Sequence, residues 1–528
     1  MQVLYESQEE VKGYDAEINK LKATLLALTN KRDGLEARIV AAQSLLSPIH
    51  RLPSEMLANI FAQCQDPDDA LSPSTTPDIF TCSMVSGRWR EVALTTPSLW
   101  TNLRIELVTW LVSHGRSSIL SPGGLTRLNL ERLNRTVQLY ISRSAKCPLN
   151  LHLESGLGSL SEGHPQIRQL LEILTPTSDR WGSVSLWLQP TLFEDPIFHP
   201  VRKQLSSLKH LTLHPSDRLE NEKCLDLFRH CPSLNSLRLH SVGDRIDPSR
   251  LLAPWSQLTR LHLYWCTFSQ VAPILKLCTE LEDLSLSFVW SDPPLESFAP
   301  ILCPRIKSLS VEAFTRDNPL SVLLCLTLPS LSRLDVQYEI AAYNPHDFSF
   351  TPMNFMSSFI ARSACVITEI HIRPSLLATD HELIRFLSRL PGLKALTMVE
   401  NQYGVWAEDS EMDPDDEDVA TLHSATIVTT AFLNNLRVFH RASTKKCVLP
   451  RLAHLSLSVF GAELDQEALV AAITSRWLPE PAYAAEVGVD CLRSLSVRLM
   501  ARDTTPIDTL QSLYFLRDAG LRVDVYRD

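Results

Sequence analysis

The chain has 528 residues, a formal net charge of -10, and 45% hydrophobic against 21% charged residues. Those proportions belong to a folded globular protein, with room for roughly three or four domains. The acidic balance argues against nucleic acid and anionic membranes as general partners, since either needs a basic stripe. No stretch approaches the ~18 uninterrupted apolar residues of a membrane span. The opening MQVLYESQEEVKGYDAE is acidic where a signal peptide would be basic and then apolar. Its cysteines form no CxxC pair and no regular framework, so a cytoplasmic or nuclear location is expected.

Residues 1–46 carry apolar side chains at heptad spacing. Leu4, Val11, Ile18, Leu25, Ile39 and Leu46 take one seam position, and Tyr14, Leu21, Leu28, Leu35 and Ala42 the other. Arg32 interrupts the first series, and Glu17, Lys20, Lys22, Lys31 and Glu36 line the flanks. The pattern predicts a coiled-coil helix that self-associates. One amphipathic helix folded back on the next module is the alternative.

The next module spans residues 47–104, SPIHRLPSEMLANIF…CSMVSGRWREVALTTPSLWTNLR. Pro53 suits a first helical turn, Glu55 adds early negative charge, and Leu57, Ile60 and Phe61 share one face. A second helical stretch carries Cys82, Val85, Trp89 and then Val92 or Ala93 at three- and four-residue steps. So short a segment leaves part of that apolar surface for another protein to cover. Leu52-Pro53, Glu55, Leu57, Ile60-Phe61, Cys82-Ser83, Val85-Ser86, Trp89-Arg90 and Pro97-Ser98-Leu99-Trp100 resemble an F-box. The likeness is to the F-box-like segments of mushroom-forming fungi, which often have a coiled coil ahead and leucine-rich repeats behind. The polar insertion QDPDDALSPSTTPDIF at residues 65–80 departs from the most compact F-boxes. The resemblance implies docking to a Skp-type adaptor and, through it, a cullin scaffold. Leu52, Pro53, Leu57, Ile60, Phe61, Val85 and Trp89 would form or support that surface.

Residues 105–204 read as irregular strand–helix units. PSLWTNLRIEL alternates like a strand, LERLNRTVQLYISRSA reads as a helix before the strand PLNLHLE, and IRQLLEILT leads to WGSVSLWL. From residue 205 to 528 a template apolar-x-x-L-x-x-L-x-L recurs: LSSLKHLTL, CPSLNSLRL, WSQLTRLHL, CTELEDLSL, CPRIKSLSV and LPSLSRLDV. Successive starts lie 26, 24, 23, 25 and 25 residues apart, the spacing of leucine-rich repeats. Later copies are ACVITEIHI, LPGLKALTM, LPRLAHLSL and VDCLRSLSV, and LDLFRHC, APILKLC and LIRFLSRL are helix-capable runs between cores. The predicted fold is α/β: a leucine-rich-repeat solenoid, a curved parallel sheet with outer helices, preceded by the helical module and the coiled-coil helix.

The acidic insert near residues 405–420 has eight carboxylates in the eleven residues from Glu408 to Asp418. It has no glycine at the bend of a calcium loop and no closing glutamate, so it reads as a solvated loop. GLGSLSEG lacks the spacing and lysine of a P-loop, and no GxSxG or HExxH occurs. Cys231, Cys278 and Cys303 occupy the slot that Leu205, Leu328, Leu390 and Leu449 fill in other copies, so they read as core. No catalytic residue, cofactor or metal site is expected, and the chain is not read as an enzyme.

Alternate strand positions must face away from the leucines. Four histidines and two arginines fall among nine such positions in three neighbouring copies. The candidate target-binding residues are His210, His214, Arg238, His240, Arg260, His262 and Tyr264. Arginine offers forked donors to carboxylate or phosphate, and histidine is expected to add charge that changes near neutral pH. Together with the resemblance, these features give the substrate-recognition subunit of a cullin-based (SCF-type) ubiquitin ligase. The alternative is a leucine-repeat scaffold outside ubiquitin chemistry, oligomerised by its coiled coil.

Overall fold

The computed structural model describes residues 2–46, 48–66, 70–71, 76–106, 127–154, 165–188, 192–193, 195–214, 227–240, 253–290, 295, 298–314, 319–339, 352–373, 380–400, 428–439, 447–460, 464–500, 510 and 513–527. The acidic insert, the GLGSLSEG segment and part of the insertion at 65–80 lie outside them. The chain divides into two units: Met1–Asp69 with Thr76–Leu99, and Ala70–Thr75 with Trp100–Asp528.

The first unit begins with one 45-residue helix, α1, Gln2–Leu46. Leu4, Val11, Ile18, Leu25 and Ile39 of one seam, and Tyr14, Leu21, Leu28 and Leu35 of the other, are 46–68% exposed. The folded-back packing is therefore not what this structure adopts. Three short helices follow: α2 (Ser54–Cys64), α3 (Asp78–Val85) and α4 (Gly87–Thr95). Pro53 sets the entry to α2 with φ −55°, and Glu55 sits in its first turn. The single second helix expected from the spacing is in fact two. Ser86 is extended at φ −158°, and its hydroxyl accepts from the Trp89 amide at 3.2 Å, so it ends α3 and caps α4.

In the second unit fourteen strands, among the described residues, form one sheet whose order is the order of the sequence. They are β1 (Asn102–Glu106), β2 (Leu149–Glu154), β3 (Trp181–Trp187), β4 (His210–Leu213), β5 (Ser236–His240), β6 (Arg260–Thr267) and β7 (Asp283–Trp290). Ser308–Phe314, Arg333–Glu339, Glu369–Ile372, Ala395–Val399, His454–Phe460, Ser494–Met500 and Arg522–Arg527 continue it. Each pair is parallel. A strand lies on every repeat core named above, because each core offers alternating leucines and each connection is long enough for a parallel crossover. One backbone bond recurs from copy to copy: Ser236 N to Lys209 O at 3.1 Å, Arg260 N to Asn235 O at 3.0 Å, Asp283 N to Thr259 O at 3.0 Å.

The leucines of the cores line one face. Leu211, Leu213, Leu237, Leu239, Leu261, Leu263, Leu284 and Leu286 are all buried, each worth roughly 1.5–3 kcal/mol of hydrophobic transfer. Cys231, Cys278 and Cys303 are buried with them, and burial pushes their thiols up to about 12, 12 and 11. Helices α5 (Arg127–Arg143), α6 (Pro165–Leu174) and α7 (Phe268–Leu277) lie between strands, as do Pro352–Ser363, Asp380–Leu387, Thr430–Leu436 and Gln466–Arg476. The LDLFRHC run is not an α-helix in its described part, which holds only a 3-10 turn at Leu227 and Phe228. A small separate sheet pairs Ile301–Leu302 with Leu326–Thr327. Arg476 is fully buried and donates to the carbonyls of Leu436, Leu449 and Val448 at 2.6, 2.9 and 2.6 Å.

Candidate functional site

In the helical module, the spacing that makes α2 amphipathic turns Leu57 and Phe61 inward, where neither is exposed. They join Ile79, Val92, Ala93 and Leu99 in the core of that unit. The Trp89 ring lies 4.9 Å from the Phe61 ring at 49° and is half-buried. Leu57 and Phe61 therefore support a surface and do not form one. Arg88 donates to the Leu52 carbonyl, and Gln65 Nε2 to that of Leu99 at 3.0 Å, which ties the loops to the helices. Leu52 is half-buried and Pro53 exposed. The apolar side chains left in solvent are Met56 (50%), Ile60 (36%), Met84 (63%) and Val85 (61%). The two methionines were missed in the sequence, although Met56 stands four residues before Ile60 on the same helical face.

In the sheet, register brings the seven target-binding candidates together. His210, Ser236 and Arg260 form one row across β4–β6, and Thr212, Arg238 and His262 form the next. His240 opposes Tyr264, and His214 follows the last paired residue of β4. All of them lie on the face opposite the buried leucines. The third row is aromatic. The Trp187 and His214 rings are stacked 3.7 Å apart and nearly parallel, His214 and His240 are 4.2 Å apart, and His240 and Tyr264 4.6 Å. Tyr264 meets Phe288 edge-on at 4.8 Å, and Phe288 lies 5.0 Å from Trp265. Trp187, Trp265 and Phe288 were not singled out in the sequence. Trp187 ends the strand WGSVSLW, so aligning that strand with the later copies would have placed it beside His214.

The imidazoles differ from expectation. Burial, reinforced by His214, His262 and Arg238, holds His240 down to about 3. Burial and Arg238 hold His262 down to about 4, and its Nε2 lies 3.0 Å from the Ser287 hydroxyl. His210 is also lowered, by burial and then by Arg260, Lys209 and Arg238. His240 and His262 are therefore neutral at pH 7, and the expectation that they carry switchable charge is overturned. The positive charge of the patch resides in Arg238 and Arg260, both exposed.

Beside this patch, Glu106, His152 and Glu154 place one ligand atom each within 4.8 Å of one another. Glu106 and Glu154 are cross-strand partners. Arg104 already donates to Glu106 at 2.9 Å, and His152 lies 3.7 Å from Glu154. The donor set would suit a hard divalent cation, yet the arginine supplies the countercharge without one.

Residues 49–106 match the F-box-like family model. The matched F-box-like segment takes in α2, α3 and α4 and runs to the end of β1. No curated protein matches the chain. Among the described residues, no helix is long and apolar enough to cross a membrane.

Proposed function

We propose that the chain is a substrate-recognition subunit of a cullin-based ubiquitin ligase. Its F-box-like module docks a Skp-type adaptor, its sheet holds a target protein, and catalysis belongs to a partner conjugating enzyme that gains proximity. The F-box-like match carries this reading, and the exposed Met56, Ile60, Met84 and Val85 on an otherwise closed core support it. Apolar side chains held open by a rigid core are what an adaptor groove would anchor. The strand-per-repeat sheet is read as a leucine-rich-repeat solenoid. Its polar face offers Arg238 and Arg260 to an acidic or phosphorylated target segment. Residues 1–46 are read as a self-associating coiled coil, for which the exposed seam of α1 is the support.

Co-purification tests the adaptor role. Tagged full-length chain and its Ile60→Asp variant are compared for capture of a Skp-type adaptor, with circular dichroism confirming the fold of both. Capture by the parent and its loss in the variant is the expected result. Equal capture by both would remove Ile60 from the docking surface, and no capture by the parent would leave the non-ubiquitin scaffold.

A further inference from the structure

At the end of the ring row, β6 and β7 share an unusual backbone feature. Trp265 and Phe288 both sit at positive φ, 54° and 53°, and they occupy equivalent positions, because Tyr264 pairs with Ser287 and Cys266 with Val289. Bulky residues in the left-handed region cost of order 1–3 kcal/mol each and persist only where the surroundings impose them. The consequence is a break in the inward–outward alternation. Cys266 and Thr267 both turn into the interior, Phe288 is buried under the row, and Trp265 is left 43% exposed. A large apolar side chain is thus exposed at the end of the ring row, beside the Phe288 and Tyr264 rings.

The cationic part lies alongside. Arg238 is one row from the rings and Arg260 two rows, with rows roughly 7 Å apart along the strands. Arg238 is close enough to depress three histidines, so its field covers the whole patch. The field is also bounded. Glu106 and Glu154 stand on the β1–β2 side, and Asp283 and Glu312 on the other. Within the row Trp187 stacks on His214 at 3.7 Å, while the His214–His240 and His240–Tyr264 pairs are tilted by 38° and 35° at 4.2 and 4.6 Å, so each ring is packed against its neighbours. So tightly packed a row leaves little open ring face on which nucleic-acid bases could stack.

We propose that this face binds a peptide with two features in fixed spacing: an anionic side chain for Arg238 and Arg260, and a large apolar side chain for Trp265 and the end of the ring row. It rests on the reading that targets meet the polar face, and it adds the second subsite and the distance. Arg238 is level with His262, three residues before Trp265, and Arg260 is five residues before it, so on an extended peptide advancing roughly 3.3–3.6 Å per residue the two side chains lie about three to five residues apart.

The test uses the full chain and two libraries of short randomised peptides, one with a fixed central glutamate and one with a fixed phosphoserine. A thymidine oligonucleotide serves as the nucleic-acid probe. The wild type is expected to enrich aromatic residues or leucine three to five positions from the fixed anion by about tenfold, the scale of one good aromatic contact. The better library identifies the anion. Trp265→Asn suits the left-handed backbone, so it keeps the fold. It is expected to keep the anion requirement and lose the apolar preference, whereas Arg238→Ser with Arg260→Ser loses the anion requirement. Peptides that need both arginines but ignore Trp265 would overturn this proposal alone. Peptides indifferent to all three positions bind elsewhere and would overturn the polar-face reading as well. Tighter capture of the oligonucleotide than of any peptide would also refute the proposal.

Discussion

The indole of Trp187 and the imidazole of His214 lie 3.7 Å apart and 7° from parallel, across the β3–β4 pair. The contact joins the unit WGSVSLW, outside the regular template, to the first regular repeat. Stacked pairs of this kind add about 0.5–1.5 kcal/mol beyond their buried area. Trp187→Ala is expected to lower unfolding free energy by roughly 1–3 kcal/mol, counting the lost area as well. Urea denaturation measures it. An unchanged midpoint would show that the stack adds nothing to stability.

Two neighbouring residues of α2 are expected to behave in opposite ways. Phe61 is fully buried against Trp89, so Phe61→Ala should cost about 3–5 kcal/mol and unfold the small module. Ile60 is partly exposed, and Ile60→Asp should leave helicity intact while costing about 2 kcal/mol or more of adaptor binding. Circular dichroism beside a binding titration separates the two effects. Equal loss of helicity in both variants would contradict the assignment of Ile60 to the surface.

The seam of α1 leads to a prediction about mass. A helix of 45 residues is about 68 Å long, and few isolated helices hold such a row of leucines in water. Light scattering of the full chain at high micromolar concentration should report a dimer. Leu21→Glu with Leu28→Glu should return it to the monomer. A monomer from the parent chain would exclude the coiled coil.

Acid should weaken the fold. His240 and His262 titrate near 3 and 4 when folded and near 6.5 when unfolded, so between those values the unfolded chain binds more protons. Stability is therefore complete above about pH 6.5 and falls progressively toward pH 4. The groups facing His240 are the rings of Trp187, His214, His262 and Tyr264, together with the charge of Arg238. Thermal melts of His240→Phe should lose less between pH 7 and pH 5 than those of the parent. A steeper loss in the variant would invert the assignment.

The repeat register was legible because one template imposes two buried leucines per strand, and a slip of one residue would bury polar side chains. The choice of polar-face residues followed from the same alternation, so His210, Arg238 and Tyr264 could be placed without coordinates. What the alternation could not carry was its own interruption at Trp265 and Phe288, where backbone geometry reverses the pattern. The charge of the histidines was misjudged for a related reason: a side chain on a polar face counts as wet until its neighbours are known. Neighbouring rings remove that water from His240, and burial beside Ser287 removes it from His262. In the helical module, helical periodicity grouped Leu57, Ile60 and Phe61 on one face, but only packing separates the two that close the core from the one that borders solvent.

Strand order that follows sequence order has a consequence for synthesis. Each strand finds its first partner in the segment made just before it, so none must wait for a distant part of the chain. The array can thus be laid down one strand at a time as the polypeptide leaves the ribosome, each finished edge templating the next addition. The same connectivity makes the sheet weak to a pull along the chain. Under tension from its ends it should yield strand by strand, in a series of small steps, where a sheet closed by distant strands would hold and then fail at once.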